Sequence, residues 1–215
     1  WTKSFSINCE EFLYISAQNQ GSSGSVTTRI NVDGEKFKHY NVFDGLYNNR
    51  IRDLFVDNNK ELWIATQTGL VHFNGTYFTT IYPPDGKQAL KNYSTSCINQ
   101  TKDDILWIGT NARGIFKYDP KTIRNITTTE GMFRETQISK ILPASGGVIW
   151  VGNSYKGLMK IVDEKVEKVY NTSDGLFSNS IGDIAEDSKG NLWLGTGLGI
   201  SYFDGEVFTN YTKES

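Results

Sequence analysis

Few residues of this chain have side chains suited to acid–base or covalent chemistry, and their spacing is poor for it. There are two histidines, His39 and His72, and two cysteines, Cys9 and Cys97. An active site needs an acid, a base or a nucleophile within reach of a pocket. Both histidines fall in segments that read as outer strands of a repeat, His39 in its fourth strand and His72 in its third. The cysteines share no Cys-x-x-Cys spacing with each other or with a histidine cluster, so the ligand count excludes a zinc site. No other metal and no cofactor is expected. A disulfide between them would join two non-adjacent repeats, and the limit on Cα separation favours two buried thiols instead. Asp53 and Asp183 could offer carboxylates to a metal or a substrate, but pairing with Lys140 or Arg52, or hydration, is the expected fate. No carboxylate pair has a spacing that signals glycoside hydrolysis. The chain is expected to bind rather than to catalyse.

Composition narrows what it binds. Hydrophobic residues make up 38%, aromatics 13% and charged residues 21% of 215 residues, with a net charge of −2. There is no basic excess to displace counterions from a phosphate backbone, so nucleic acid is not an expected partner. No apolar run approaches the length that crosses a bilayer, and no membrane insertion by this segment is expected. The opening Trp1-Thr2-Lys3-Ser4 lacks the order of a signal peptide, and any such signal is expected to have been removed.

The elements that position these residues are set by a repeat. Trp63, Trp107, Trp150 and Trp193 are separated by 44, 43 and 43 residues, and each sits in the same phrase, from Leu62-Trp63-Ile64-Ala65-Thr66 to Leu192-Trp193-Leu194-Gly195-Thr196. A glycine-hydrophobic pair follows each (Gly69-Leu70, Gly114-Ile115, Gly157-Leu158, Gly199-Ile200). Upstream stand Asp44-Gly45-Leu46, Glu130-Gly131-Met132 and Asp174-Gly175-Leu176. A divergent first copy has Leu13-Tyr14-Ile15 in place of the tryptophan phrase and a Gly/Ser-rich loop from Gln18 to Ser25. The copies run over about 1–40, 41–82, 83–127, 128–170 and 171–212, in one domain, 1–215.

Each copy reads as four short strands with turn signals between them. In the last copy these are 180–186, 192–196, 200–203 and 206–211, with Asp204-Gly205 signalling a tight hairpin. Its second strand, Leu-Trp-Leu, is apolar on both faces, as in a sheet covered on both sides. The expectation is an all-β propeller of five four-stranded blades. An open arc would expose two apolar blade faces, so either five blades close into a ring, which is favoured, or the chain is part of a larger propeller. The four tryptophans are scaffold residues that fill the space between blades.

The run from Asp174-Gly175-Leu176-Phe177-Ser178-Asn179 to Asn191-Leu192-Trp193-Leu194-Gly195-Thr196 closely resembles the two-component regulator propeller repeat. The resemblance covers nearly the whole chain. It is strong in the second and fifth copies and fair in the fourth, while Gln88-Ala89-Leu90 replaces Asp-Gly-Leu in the third. It implies the extracytoplasmic sensor region of a bacterial hybrid two-component system, many of which respond to polysaccharide fragments, and hence a periplasmic or extracellular location. Some similar propellers are lyases with a histidine and acids at the channel mouth, and no such histidine is present here.

Ligand specificity is expected where the copies differ. In a propeller the links from fourth to first strand and from second to third strand surround the channel mouth. Here they carry Arg50, Tyr93, Arg113, Arg134, Tyr155 and Lys156. Aromatic rings stack on apolar sugar faces and polar side chains meet hydroxyls, so an oligo- or polysaccharide is the expected ligand. Asp53, Cys97, Lys140 and Asp183 share one position in the first strand and are expected to line the channel. A second copy, or other blades of the same receptor, are the expected protein partners. A free-standing secreted lectin or protein-interaction scaffold is the alternative to a sensor.

Overall fold

The computed structural model describes residues 2–8, 12–18, 26–32, 36–48, 50–81, 93–119, 122–126 and 134–212, with side chains described from residue 40 onward except at 134–136. Cys9 and Asn49 lie outside the described residues, as does the Gln18–Ser25 loop beyond Gln18. The side chains of Tyr14, His39 and Arg134 do too. The described residues form twenty strands in five consecutive groups of four, with three short 3-10 turns (Val42–Asp44, Ser145–Gly147 and Thr172–Asp174) and no α-helix. The first group is β1 (Thr2–Asn8), β2 (Phe12–Gln18), β3 (Val26–Val32) and β4 (Lys36–Tyr40). The second is β5 (Ile51–Val56), β6 (Leu62–Thr66), β7 (Gly69–Phe73) and β8 (Phe78–Thr80). The third is β9 (Thr95–Gln100), β10 (Leu106–Arg113), β11 (Ile115–Asp119) and β12 (Thr122–Asn125). The fourth is β13 (Arg134–Pro143), β14 (Ile149–Asn153), β15 (Gly157–Val162) and β16 (Lys165–Tyr170). The fifth is β17 (Ile181–Glu186), β18 (Leu192–Thr196), β19 (Gly199–Phe203) and β20 (Phe208–Tyr211).

The chain divides into two compact units, Trp1–Leu106 with Tyr118–Arg124, and Trp107–Lys117 with Asn125–Ser215. In the first unit β1–β4 and β5–β8 are antiparallel sheets in chain order, and the first strands β1, β5 and β9 lie side by side. In the second unit β13–β16 and β17–β20 repeat the pattern, with β13 beside β17. Apolar layers join consecutive sheets. Tyr40 of the first sheet packs with Ile51, Leu54, Leu62, Ile64, Val71 and Phe73 of the second. Trp150, Leu158 and Tyr170 of the fourth pack with Ile181, Ile184, Leu192, Leu194 and Phe203 of the fifth. Four-stranded sheets stacked face to face, first strand beside first strand, make an all-β, propeller-like fold.

Local chemistry explains the boundaries. The Asp-Gly-Leu phrase closes a 3-10 turn. Asn41 and Asn171 cap it through their side chains, while Gly45 and Gly175 end it at φ 100°, a conformation that a Cβ disfavours. The turn between first and second strands is held by one aspartate. Asp57 Oδ1 accepts from Asn59 N and Glu61 N at 2.9 Å each, and its Oδ2 accepts from the Trp63 indole N–H at 2.8 Å. The connection at Asp204-Gly205 is longer than the tight hairpin expected, because Asp204 Oδ1 accepts from Glu206 N and Val207 N and the fourth strand starts only at Phe208. Each described first strand in β5, β13 and β17 has a register shift, between Ile51 and Asp53, Ile138 and Lys140, and Ile181 and Asp183. A bulge of this kind turns the strand and re-aims the residue after it.

Two expectations need correction. β10 runs on through Asn111 and Arg113 and pairs with β13, Asn111 opposite Gln137 and Arg113 opposite Arg134. These residues are strand rather than link, because Ala112 adopts φ 66° and lets β10 continue past a bulge. The fifth blade is not covered on both sides. β6 and β14 are buried along their whole length, whereas β18 is buried only at Leu192 and Leu194 and exposes Trp193.

Candidate ligand-binding face

The two kinds of link lie against each other, blade by blade. The first residue of the turn between second and third strands donates its N–H to the carbonyl of the residue just before, or just inside, the first strand. The pairs are Gln67 N to Arg50 O (3.0 Å), Ser154 N to Gln137 O (3.0 Å) and Gly197 N to Ser180 O (2.9 Å). Both links therefore form one edge of the second, fourth and fifth blades. In the first unit Arg50 adds a side-chain bond there, Nη1 to Gln67 Oε1 at 3.0 Å, and Tyr93 stands half-buried two residues before β9.

The second unit brings more of the candidate residues together. Gln137, whose carbonyl holds Ser154, sits opposite Asn111, and Arg113 at the exposed end of β10 sits opposite Arg134. The next two turn residues are Tyr155, 70% exposed, and Lys156, also exposed. Their backbone is fixed by Asn153 at the end of β14, whose Oδ1 accepts from Tyr155 N at 2.8 Å and Lys156 N at 2.9 Å. The second, third and fifth copies have threonine at this position; Thr66, Thr110 and Thr196 each donate to a glycine carbonyl at 2.7–2.8 Å, and Thr66 and Thr196 also accept more loosely from the turn, from Thr68 N and Leu198 N at 3.3 Å. The sequence reading passed over Asn153. Its signal is an asparagine where the second, third and fifth copies have threonine.

The channel candidates are engaged in joining strands. Asp53 Oδ1 accepts from Leu54 N and its Oδ2 accepts from Ile98 N, at 3.0 and 2.9 Å, which ties β5 to β9. Lys140 Nζ lies 2.9 Å from Asp183 Oδ1, an ion pair between β13 and β17. Cys97, at the equivalent place in β9, is buried. His72 Nε2 lies 2.8 Å from Glu61 Oε2, and its ring is 4.5 Å from that of Trp63, in an outer strand. Among the described residues no three His, Cys, Asp or Glu side chains are grouped to hold a metal. No helix among them is long and apolar enough to cross a membrane.

The profile of the family described as "Two component regulator propeller" matches residues 46–68, 89–112 and 175–197. No curated protein sequence matches the chain. Among solved structures, two extracellular domains of hybrid two component systems from B. thetaiotaomicron superpose with TM-scores of 0.80 and 0.76, at 22% and 21% identity, over 99% and 94% of this chain. The chain spans only 28% and 27% of their lengths. Virginiamycin B lyase from Staphylococcus aureus superposes at a TM-score of 0.72 and 13% identity, covering all of this chain and 70% of that one.

Proposed function

Because the chain carries the two-component regulator propeller repeat, we propose that it is a ligand-sensing, non-catalytic propeller segment of a bacterial receptor. In this reading it lies outside the cytoplasm and takes an oligo- or polysaccharide on the face formed by its inter-strand links. The observation that carries this is Tyr155, an exposed ring on a turn whose backbone Asn153 has already fixed, with Lys156 next to it and Arg113 on β10, beyond the intervening strand β13. A turn whose backbone is already fixed loses little freedom when its ring stacks against a sugar, and cations beside it can donate to hydroxyls. The extracellular source of the two similar receptor domains supports the location. The commitment of His72 to Glu61, and of Asp53 to the backbone of β9, supports binding without turnover.

The test is a glycan-array screen followed by titration of the best hit. Tyr155→Ala and Arg113→Ala should each weaken binding severalfold to a hundredfold, the loss of about 1–3 kcal/mol that follows removal of a stacked ring or a charge-assisted bond. The melting temperature should hold, since surface changes stay within about 0.5 kcal/mol. Lys189→Ala, in a turn between first and second strands, should change neither. Full binding by both face variants would sink the assignment of the face. Cleavage of the glycan by native protein, abolished by Asp183→Asn, would overturn its non-catalytic character.

A further inference from the structure

The second and fifth blades join their third and fourth strands by the same turn, Phe73-Asn74-Gly75-Thr76-Tyr77-Phe78 and Phe203-Asp204-Gly205-Glu206-Val207-Phe208. Each is clamped by a stacked phenylalanine pair, Phe73 with Phe78 and Phe203 with Phe208, at 4.4 Å between ring centres. Each glycine has a positive φ, 90° at Gly75 and 102° at Gly205, with open space where a Cβ would stand. The turns differ in the side chain that holds them. Asn74 Oδ1 accepts from Thr76 N at 3.0 Å and Tyr77 N at 3.1 Å. Asp204 Oδ1 accepts from Glu206 N at 2.9 Å and Val207 N at 2.8 Å. A carboxylate therefore fits this turn as well as an amide does.

Asn74-Gly75 is the one Asn-Gly pair in the sequence, and its side-chain amide is open to attack by its own backbone. Both residues are exposed, and among the described residues no hydrogen bond engages Gly75 N or Asn74 Nδ2. Elsewhere the N–H that follows an asparagine is committed. Lys60 N, after Asn59, donates to Asp57 O; Ser154 N, after Asn153, donates to Gln137 O; Thr172 N, after Asn171, donates to Asn179 Oδ1. Gly75 also has no side chain to shield its nitrogen. The two N–H groups on Asn74 Oδ1 withdraw electron density from Cγ, and they face the oxygen that becomes an oxyanion when a nucleophile adds there. At Asp204 the equivalent pair, from Val207 and Glu206, stabilises negative charge and holds that carboxyl below the ordinary aspartate range.

We propose that Asn74 is a self-modifying site, deamidated through a succinimide and returned to the chain as aspartate. Gly75 N loses its proton to water as it adds to Asn74 Cγ, an intramolecular step that needs no encounter. The tetrahedral carbon collapses, the Cγ–Nδ2 bond breaks, and Nδ2 takes a proton from water and leaves as ammonia. A water molecule then adds at Cγ and breaks its bond to Gly75 N, which recovers a proton. The sum is amide and water to carboxylate and ammonium, with no change of oxidation state. Attack at the main-chain carbonyl would instead leave an isoaspartyl link. The N–H groups of Thr76 and Tyr77 face Oδ1 and favour attack at Cγ, and the fifth blade shows that the resulting aspartate fits. The change adds one negative charge to a chain whose net charge is −2. It goes beyond ligand recognition and is independent of the glycan face.

Ageing the unmutated chain in heavy-oxygen water, from neutral to mildly alkaline pH, tests this. Peptide mapping with electron-transfer fragmentation separates asparagine, aspartate and isoaspartate at each position. Asn74 should convert several-fold faster than Asn59, Asn153 and Asn171, take up heavy oxygen, and speed up as pH rises. The folded chain should give mostly aspartate at position 74, with a several-fold larger isoaspartate share in urea. Asn74→Asp should melt with the parent. Conversion of Asn74 no faster than that of Asn59, or conversion in urea but not in the folded chain, overturns the site, because the turn then shields the amide. An isoaspartate share as large in the folded chain as in urea overturns the direction, as does a clearly lowered melting temperature for Asn74→Asp.

Discussion

β14 and β18 have nearly the same sequence, Ile-Trp-Val-Gly-Asn against Leu-Trp-Leu-Gly-Thr, and carry very different weight in the fold. The ring of Trp150 lies 6.0 Å from Tyr170 of its own blade and 6.1 Å from Phe203 of the next. Among the described residues the ring of Trp193 meets those of its own blade, Tyr202 at 4.9 Å and Tyr211 at 6.1 Å. In a repeat architecture stability is close to a sum of unit terms and neighbour terms. The phrase builds the blade and prepares half of an interface, and the neighbour supplies the other half. The energetic value of a repeated residue is therefore a property of its position in the array.

Truncation measures that difference most directly. In the 215-residue chain Trp150→Ala and Trp107→Ala should each cost about 3–5 kcal/mol, as loss of a large buried side chain does. Trp193→Ala should cost about 1 kcal/mol, because a half-exposed ring makes fewer contacts to lose. Urea denaturation followed by circular dichroism gives all three values on one scale. Equal losses at Trp150 and Trp193 would break the comparison. A smaller contrast comes from the paired glycines. Gly152→Ala forces a methyl group against Ile181 and Ser139 at 2.8 and 3.1 Å, and should cost about 1–3 kcal/mol as overpacking does. Gly195→Ala should stay within about 0.5 kcal/mol.

The blades were legible because their construction is chemical and local. The tryptophan phrase located β6, β14 and β18, and the glycine of Asp-Gly-Leu does adopt the positive φ its place requires, at Gly45 and Gly175. What escaped is set by neighbours or by backbone. The bulges in β5, β13 and β17 fall at Arg52, Ser139 and Gly182, three residues with nothing in common. The continuation of β10 depends on Ala112 at φ 66°, a conformation that an alanine does not announce. Of the candidate face, Tyr155 and Lys156 were readable as variation between copies, but the fixing of their turn depends on Asn153 Oδ1 taking two backbone N–H groups where the hydroxyls of Thr66 and Thr196 each take one at 3.3 Å, within an apparently scaffold position. The exposure of Trp193 was beyond reach, since its own repeat is typical and only its surroundings differ.

The smallest effect sharpens the comparison at a turn that two blades share. Asp57 and Asp187 both hold the link between first and second strands. Asp57 also accepts from the buried indole N–H of Trp63, whereas Asp187 Oδ2 accepts from the amide of Asn191 at 3.0 Å, near solvent. That side-chain bond, with the backbone N–H groups of Asn191 and Lys189, holds the Asp187 carboxyl below the ordinary aspartate range. A carboxyl whose folded pKa is lowered stabilises the fold above its unfolded pKa and loses that contribution as pH falls through the folded value. Asn191→Ala should therefore move the Asp187 titration up towards the ordinary value in a carbon-detected NMR experiment. The melting temperature of the variant should sit slightly below that of the parent above about pH 5, where the carboxyl is ionised in folded and unfolded chains alike. As pH falls through the folded pKa, the two melting temperatures should converge, because a protonated Asp187 makes little use of the amide. An Asp187 titration unmoved by Asn191→Ala would show that the two backbone N–H groups alone set it, and that the two turns are held in the same way.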